Sequence, residues 1–460
     1  MNTANFTVVQ RRTIILMVVA VVVVFAVLSG FVITSLQGWE EMSPVTTPSS
    51  LIPTSTSYPT PSPIPSPVPT FEEGIWSQVQ FARLFDQIAY QVESIRGLAP
   101  RAEVPLSFRN EREMAALLRQ LYAGRDLEDE LSSYVALGLL PDVPISIQPH
   151  QQVGIYVPEQ GQLFVSTGRY GASTDDQALL AHAYIHALQD QQFGLGAMDD
   201  RASTTDAVLA VRAFVEGDAS LVTAFYQYGD PAVADWEHLL TLIMQAEQPS
   251  YGQLLERVET WTQIQRFPYW EGRRFVQALF EAGGWEGVNR AYINPPRSTA
   301  QVLHPERYLE GTGNPGRVVV PDLGGVLGEG WRVLLQDTQG EFVIRLYLAS
   351  LLPEDTAVRA AAGWSGDTCV IWEHRDGRRV FVWRTIWEDT EEAAEFETAL
   401  VQLIPQQHLP AWPQNPPRGL GGWWWETPDG GVHVARLARH VVFVTAPDFE
   451  ILTEVVERLP

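Results

Sequence analysis

The sequence predicts an α+β protein with an N-terminal transmembrane helix, a mostly helical middle and a C-terminal α+β domain on an antiparallel sheet. Three observations predict it. A charge-free apolar run opens the chain, 3.6-residue periodicity dominates residues 71–318, and strands followed by a helix occur twice within 319–460.

The apolar run is TIILMVVAVVVVFAVLSGFVITSL, residues 13–36. As a helix it would reach ~36 Å, more than the ~30 Å hydrocarbon core of a bilayer. It is longer than the ~7–15 residues of a signal-peptide core, so the expectation is an uncleaved, single-pass anchor. Arg11 and Arg12 precede it and Glu40 and Glu41 follow it. Positive flanks stay inside, which leaves residues 1–12 as a cytoplasmic tail and places the rest outside the cell membrane. Residues 37–70 are rich in Pro, Ser and Thr and read as an extended stalk.

Residues 74–140 read as a helical leader, and GIYVPEQGQLFVST, within 153–167, as a hairpin. Next comes the helix DQALLAHAYIHALQDQQ, with Thr174, Asp175 and Asp176 at its start and Gly194 and Gly196 beyond its end. Two further helices, TTDAVLAVRAFVEGDASLVTAFYQYG and ADWEHLLTLIMQA, precede a helix pair punctuated at Gly283 and Gly284. Past the glycines of PDLGGVLGEG, the hairpin turned by Asp376 and Gly377 leads into the helix TEEAAEFETALVQLI. The strands of 423–446 lead in the same order into the closing helix DFEILTEVVERL.

A net charge of −24 and a pI near 4.7 exclude nucleic acid as a partner, because its phosphates demand a basic face. Cys369 is the single cysteine, so no disulfide forms within the chain, and its run TCVIW marks it as a buried small hydrophobe. Trp423, Trp424 and Trp425 cannot all share one face of a strand, so packing explains them better than a sugar platform.

His182 and His186 stand one helical turn apart and project from the same face. Two imidazoles at that spacing reach one ion, and Glu216 on the following helix is available as a third ligand. Alone, the pair is a weak signal and reads better as two ordinary polar residues on a helix. A zinc site needs about four ligands, and a catalytic one reserves a position for water.

The run LLAHAYIHALQDQQFGL resembles the HExxH helix of a family of bacterial zincin-like, gluzincin-type metallopeptidases. The resemblance extends to GIYVPEQGQLFV, to AFVEGDAS and to FPYWEGRRFVQALFEAGGWEGVNRAYINPPRSTAQVLHPERYL, over roughly residues 90–310. It implies zinc on His182, His186 and Glu216 in a zincin-like domain spanning 71–318. It also implies a glutamate directly after the first histidine, as general base. This chain has Ala183 there, and a methyl group moves no proton. Asp190 and Asp218 are candidates to hydrogen-bond a ligating imidazole, His304 is a candidate oxyanion stabiliser, and QLFVST is a candidate edge strand for an extended peptide.

The reading is therefore a membrane-tethered extracytoplasmic zincin-like pseudopeptidase that keeps a zinc site and binds a peptide or protein. The alternatives are an active zinc peptidase with a substitute base, and a metal-free binding or scaffold ectodomain.

Overall fold

A computed structural model describes residues 78–459 except 124–126, 142–152, 168–172, 200, 249–254 and 256–257. The tail 1–12, the apolar run 13–36 and the stalk 37–70 lie outside the described residues. The expectation of a transmembrane helix is corrected on this point: among the described residues no helix is long and apolar enough to cross a membrane.

The chain opens with α1 (Gln78–Arg96), β1 (Leu106–Arg109), α2 (Glu111–Ala123) and α3 (Leu127–Ala136), followed by β2 (Gly154–Val157) and β3 (Gln162–Ser166). β2 and β3 form the expected antiparallel hairpin, turned through Pro158–Gln160 with Gly161 at φ 60. β1 lies where the helical leader was expected, and it pairs in parallel with the other side of β3. The strand order is thus β1-β3-β2, with QLFVS in the centre. This corrects the expectation of a peptide-binding edge there, since both hydrogen-bonding sides of β3 are already taken.

The helical body follows: α4 (Thr174–Phe193), the short α5 (Leu195–Asp199), α6 (Thr205–Tyr228), α7 (Trp236–Glu247), α8 (Glu259–Ile293), and the short α9 (Thr299–Leu303) and α10 (Pro305–Leu309). The N-cap of α4 is Ser173, one residue before the expected start. Its hydroxyl accepts from Asp176 N at 3.0 Å while the Asp176 carboxylate accepts from Ser173 N, a reciprocal capping box. Gly194, at φ 71, closes the helix in a conformation that costs glycine little. Between Ala178 and Gln189 every residue except His186 is buried, so α4 is a central helix rather than a surface one. α8 is interrupted at Gly283 and Gly284, which leave helical geometry as the sequence punctuation predicted.

The C-terminal part comprises α11 (Gly324–Leu327), β4 (Trp331–Asp337), α12 (Gly340–Ala349), α13 (Glu354–Ala362), β5 (Trp364–His374), β6 (Arg379–Trp387), α14 (Thr390–Gln407), β7 (Trp412–Gln414), β8 (Trp423–Thr427), β9 (Gly430–Leu437), β10 (His440–Ala446) and α15 (Phe449–Val456). Its seven strands run in the order β4-β5-β6-β10-β9-β8-β7, all antiparallel, as expected for this half. Trp424 packs on His433 from one face while Trp423 and Trp425 stack on the other, so the three tryptophans form no common platform. Cys369 is buried, and Gln339 Nε2 donates to its sulfur at 3.1 Å.

One hydrophobic core runs from α6 and α8 through α12 into the large sheet, and a second fills the space between α1, the small sheet, α4, α6 and α7. The start of α6 meets the end of β4 and the starts of α9 and α12 through acids. Asp337 accepts from Thr205 N at 2.9 Å, and Asp206 accepts from Thr299 N at 2.7 Å. Gly340 lies so close to Asp206 that a Cβ there would overlap the carboxylate. Burial raises the Asp206 pKa to about 8, against partial relief from Thr299 and with Asp367 and Glu341 adding to the rise. The folded chain therefore holds a proton that the unfolded chain gives up near pH 4. That stabilisation is full below about pH 4 and is lost as pH rises through about 8. Asp206→Asn should flatten the fall in melting temperature between about pH 5 and pH 8, removing up to roughly 4 kcal/mol of pH-dependent stability. Thermal denaturation at stepped pH measures it, and an unchanged slope would place the linkage elsewhere.

Candidate metal centre

α4, α6 and α7 converge on one cluster. His182 and His186 come from the centre of α4, Glu216 from the middle of α6 and Glu247 from the last turn of α7. The two Nε2 atoms are 3.2 Å apart. Glu216 Oε2 lies 3.4 Å from His182 Nε2 and 3.6 Å from His186 Nε2, and Glu247 Oε1 lies 3.2 and 3.4 Å from the same atoms. Four donors at ~2.0–2.1 Å around a tetrahedral ion stand ~3.3 Å from one another. The five separations that involve a histidine nitrogen match such edges, and all four donor atoms lie within 4.8 Å of one another.

The surroundings point both imidazoles the same way. Thr223 Oγ1 spends its proton on Ala219 O at 2.7 Å and so accepts, at 3.2 Å, from His182 Nδ1–H. Gln189 donates through Nε2 to Val215 O and to Asp218, both at 3.1 Å, leaving its Oε1 to accept from His186 Nδ1–H at 2.8 Å. With the protons on Nδ1, both Nε2 lone pairs face the cluster. Tyr269, fully buried, donates to Glu247 Oε2 at 3.1 Å and turns Oε1 inward. Glu216 Oε2 is buried without a hydrogen-bond partner, an acceptor aimed at the same point.

Electrostatics agrees with the geometry. Burial opposes charge on both imidazoles, yet the carboxylates beside them outweigh it. The pKa of His182 is raised, chiefly by Glu247, and that of His186 is raised well above the ordinary histidine value, chiefly by Glu216. Burial pushes Glu247 up, but His182 and His186 pull it well below the usual carboxylate range. Two carboxylates here are balanced equally by two protons on the imidazoles or by one divalent cation.

The structure thus brings His182, His186 and Glu216 together and adds Glu247, which the sequence did not single out. Ala183 is buried beside them. Asp190, expected against an imidazole, instead accepts from Tyr156 OH at 2.8 Å and from Leu195 N at 3.1 Å, because it lies a turn beyond His186 where α4 ends against β2. Asp218 reaches His186 only through Gln189. His304, the candidate oxyanion stabiliser, sits between α9 and α10, and its Nε2 is engaged with Glu341 of α12 at 2.9 Å. No residue type could have flagged Glu247, whose run LIMQAE is an ordinary amphipathic helix end.

Among known families, one described as Domain of unknown function (DUF8575) matches residues 332–456, about a quarter of the chain, from β4 to α15 and clear of the four-residue cluster. No curated protein and no solved structure matches the chain.

Proposed function

We propose that this chain is a zincin-like protein that holds zinc in a coordinatively closed site and works by binding a peptide or protein rather than by cutting one. The observation that carries the reading is Glu247, whose Oε1 stands at the fourth corner of the donor set. Structural zinc sites have four protein ligands, whereas catalytic ones keep a position open for water. Here the position is filled, and Ala183 supplies no base. Two imidazoles and two carboxylates converging on one point suit zinc better than calcium or magnesium, which take six or more ligands, mostly oxygens. Bound there, zinc would tie α4, α6 and α7 together. Support for a peptide or protein as the partner comes from the resemblance of residues 90–310 to peptide-cleaving proteins.

The same residue favours one competing reading, in which Glu247 is the substitute general base of an active peptidase. Its bond from Tyr269 and its position beside both histidines suit that role too. Metal analysis with activity assay separates the two. Full-length protein dialysed against zinc should retain about one equivalent, His186→Ala should retain none, and Glu247→Gln should weaken zinc binding without costing any hydrolysis. Wild type that stays metal-free at saturating zinc would overturn both readings. Hydrolysis by wild type that Glu247→Gln abolishes would establish the second.

A further inference from the structure

We propose that Arg96 and Asp218 are positioning residues for the metal centre, acting on His186 through the Gln189 side chain; this rests on the metal-binding reading above.

Arg96, the last residue of α1, and Asp218, one half-turn beyond Glu216 on α6, are both fully buried. Arg96 Nε donates to Asp218 Oδ1 at 2.8 Å and its NH2 to Oδ2 at 3.3 Å, while the guanidinium lies over the Trp285 ring at 4.6 Å. A buried carboxylate needs such an opposite charge. Asp218 Oδ2 also accepts from Tyr292 OH at 2.7 Å and from Gln189 Nε2 at 3.1 Å.

Two acceptors, the Asp218 carboxylate and the Val215 carbonyl, decide together which end of the Gln189 amide faces which neighbour. A carboxylate accepts and cannot donate, so it draws the NH2 end toward itself and turns Oε1 to His186. With the amide reversed, Oε1 would face the carboxylate and an N–H would meet His186 Nδ1. The imidazole would then carry its proton on Nε2 and lose its lone pair toward the cluster. Arg96 and Asp218 thereby set the tautomer of a ligand that neither touches. Arg96 lies 90 residues before His186 in the chain, so this dependence on α1 is invisible to any local motif.

The test measures zinc affinity of the full-length chain by chelator competition, and the visible spectrum of the cobalt(II)-loaded form. Gln189→Met keeps the volume and leaves Arg96, Asp218 and Tyr292 in place, and it should weaken binding ~10–100-fold with unchanged thermal unfolding of the metal-free protein. Gln189→Glu alone sets two carboxylates against each other and should bind at least as poorly. Combined with Asp218→Asn the polarity is reversed: an amide now donates to a carboxylate, which accepts from His186 as before. That pair should bind better than Gln189→Glu alone and regain the cobalt spectrum, short of wild type because the Val215 carbonyl loses its donor, whereas a residue that merely fills space would show no recovery. Wild-type affinity in Gln189→Met, or a polarity swap no better than Gln189→Glu alone, overturns the relay while the metal site stands. A wild type that binds no metal overturns both.

Discussion

Ala183→Glu alone is expected to leave the chain inert toward a peptide library, whereas Ala183→Glu with Glu247→Ala is expected to gain hydrolysis by ~10² or more over wild type. A general base on α4 needs a metal-bound water to deprotonate, and the corner where that water would stand is occupied by Glu247 Oε1. Truncating Glu247 vacates the corner and leaves His182, His186 and Glu216 as the three-ligand set of a catalytic site. Adding His186→Ala to the double variant should abolish the gain. Because residue 183 is buried, the new carboxylate carries a desolvation cost, and a melting curve of each variant keeps lost folding distinct from lost chemistry. Activity in the single variant would show that Glu247 does not hold the fourth position. Inertness of the double variant with zinc bound would show that the surrounding cleft does not accept a peptide.

Gly272→Ala should be among the most destabilising single-methyl additions in the protein. α6 and α8 cross with Gly217 and Gly272 in mutual contact, so that a Cβ on Gly272 would overlap the Ala213 carbonyl and one on Gly217 the Gly272 carbonyl. Both obstacles are helix backbone and cannot rotate away. Overpacking a core costs ~1–3 kcal/mol, and a backbone clash belongs at or beyond the upper end. Since Glu216 adjoins Gly217, the separation of the two helices should also weaken metal retention. Gly196→Ala, where a Cβ meets nothing within 4 Å, is the matched control and should change stability by less than ~1 kcal/mol. Equal melting temperatures for Gly272→Ala and the control would mean that the helices slide apart at no cost.

What the sequence disclosed and what it concealed divide along range. The histidine pair was legible because its geometry is set within one helical turn, and Gly194 and Gly161 because local backbone conformation demands them. The hairpin of β2 and β3 was legible for the same reason. Its third strand was not, because LSFR is four residues in a leader of helical periodicity and its pairing with β3 spans more than fifty residues. That missing strand is why QLFVS was expected at an edge. Glu247 and Arg96 were hidden similarly, each contributing through a packing arrangement that no spacing rule encodes. For Asp190 and His304 the partners were hidden, for a converse reason. Their chemistry suited the expected roles, but Tyr156 and Glu341, distant in sequence, engage them first.

The dispersal of the four donors over three helices bears on the order of events as the chain folds. His182 and His186 meet within one turn, but Glu216 lies about thirty residues further on and Glu247 about sixty, and neither arrives until α6 and α7 have packed against α4. Closing loops of that size costs entropy before any contact repays it. A metal ion meeting the nascent chain therefore finds at most a bidentate pair, too weak to organise its neighbours. Capture at full strength waits for a helical body already assembled. Zinc in this protein would act as a latch thrown at the end, slowing the opening of a finished structure while leaving the rate of its formation to the hydrophobic core.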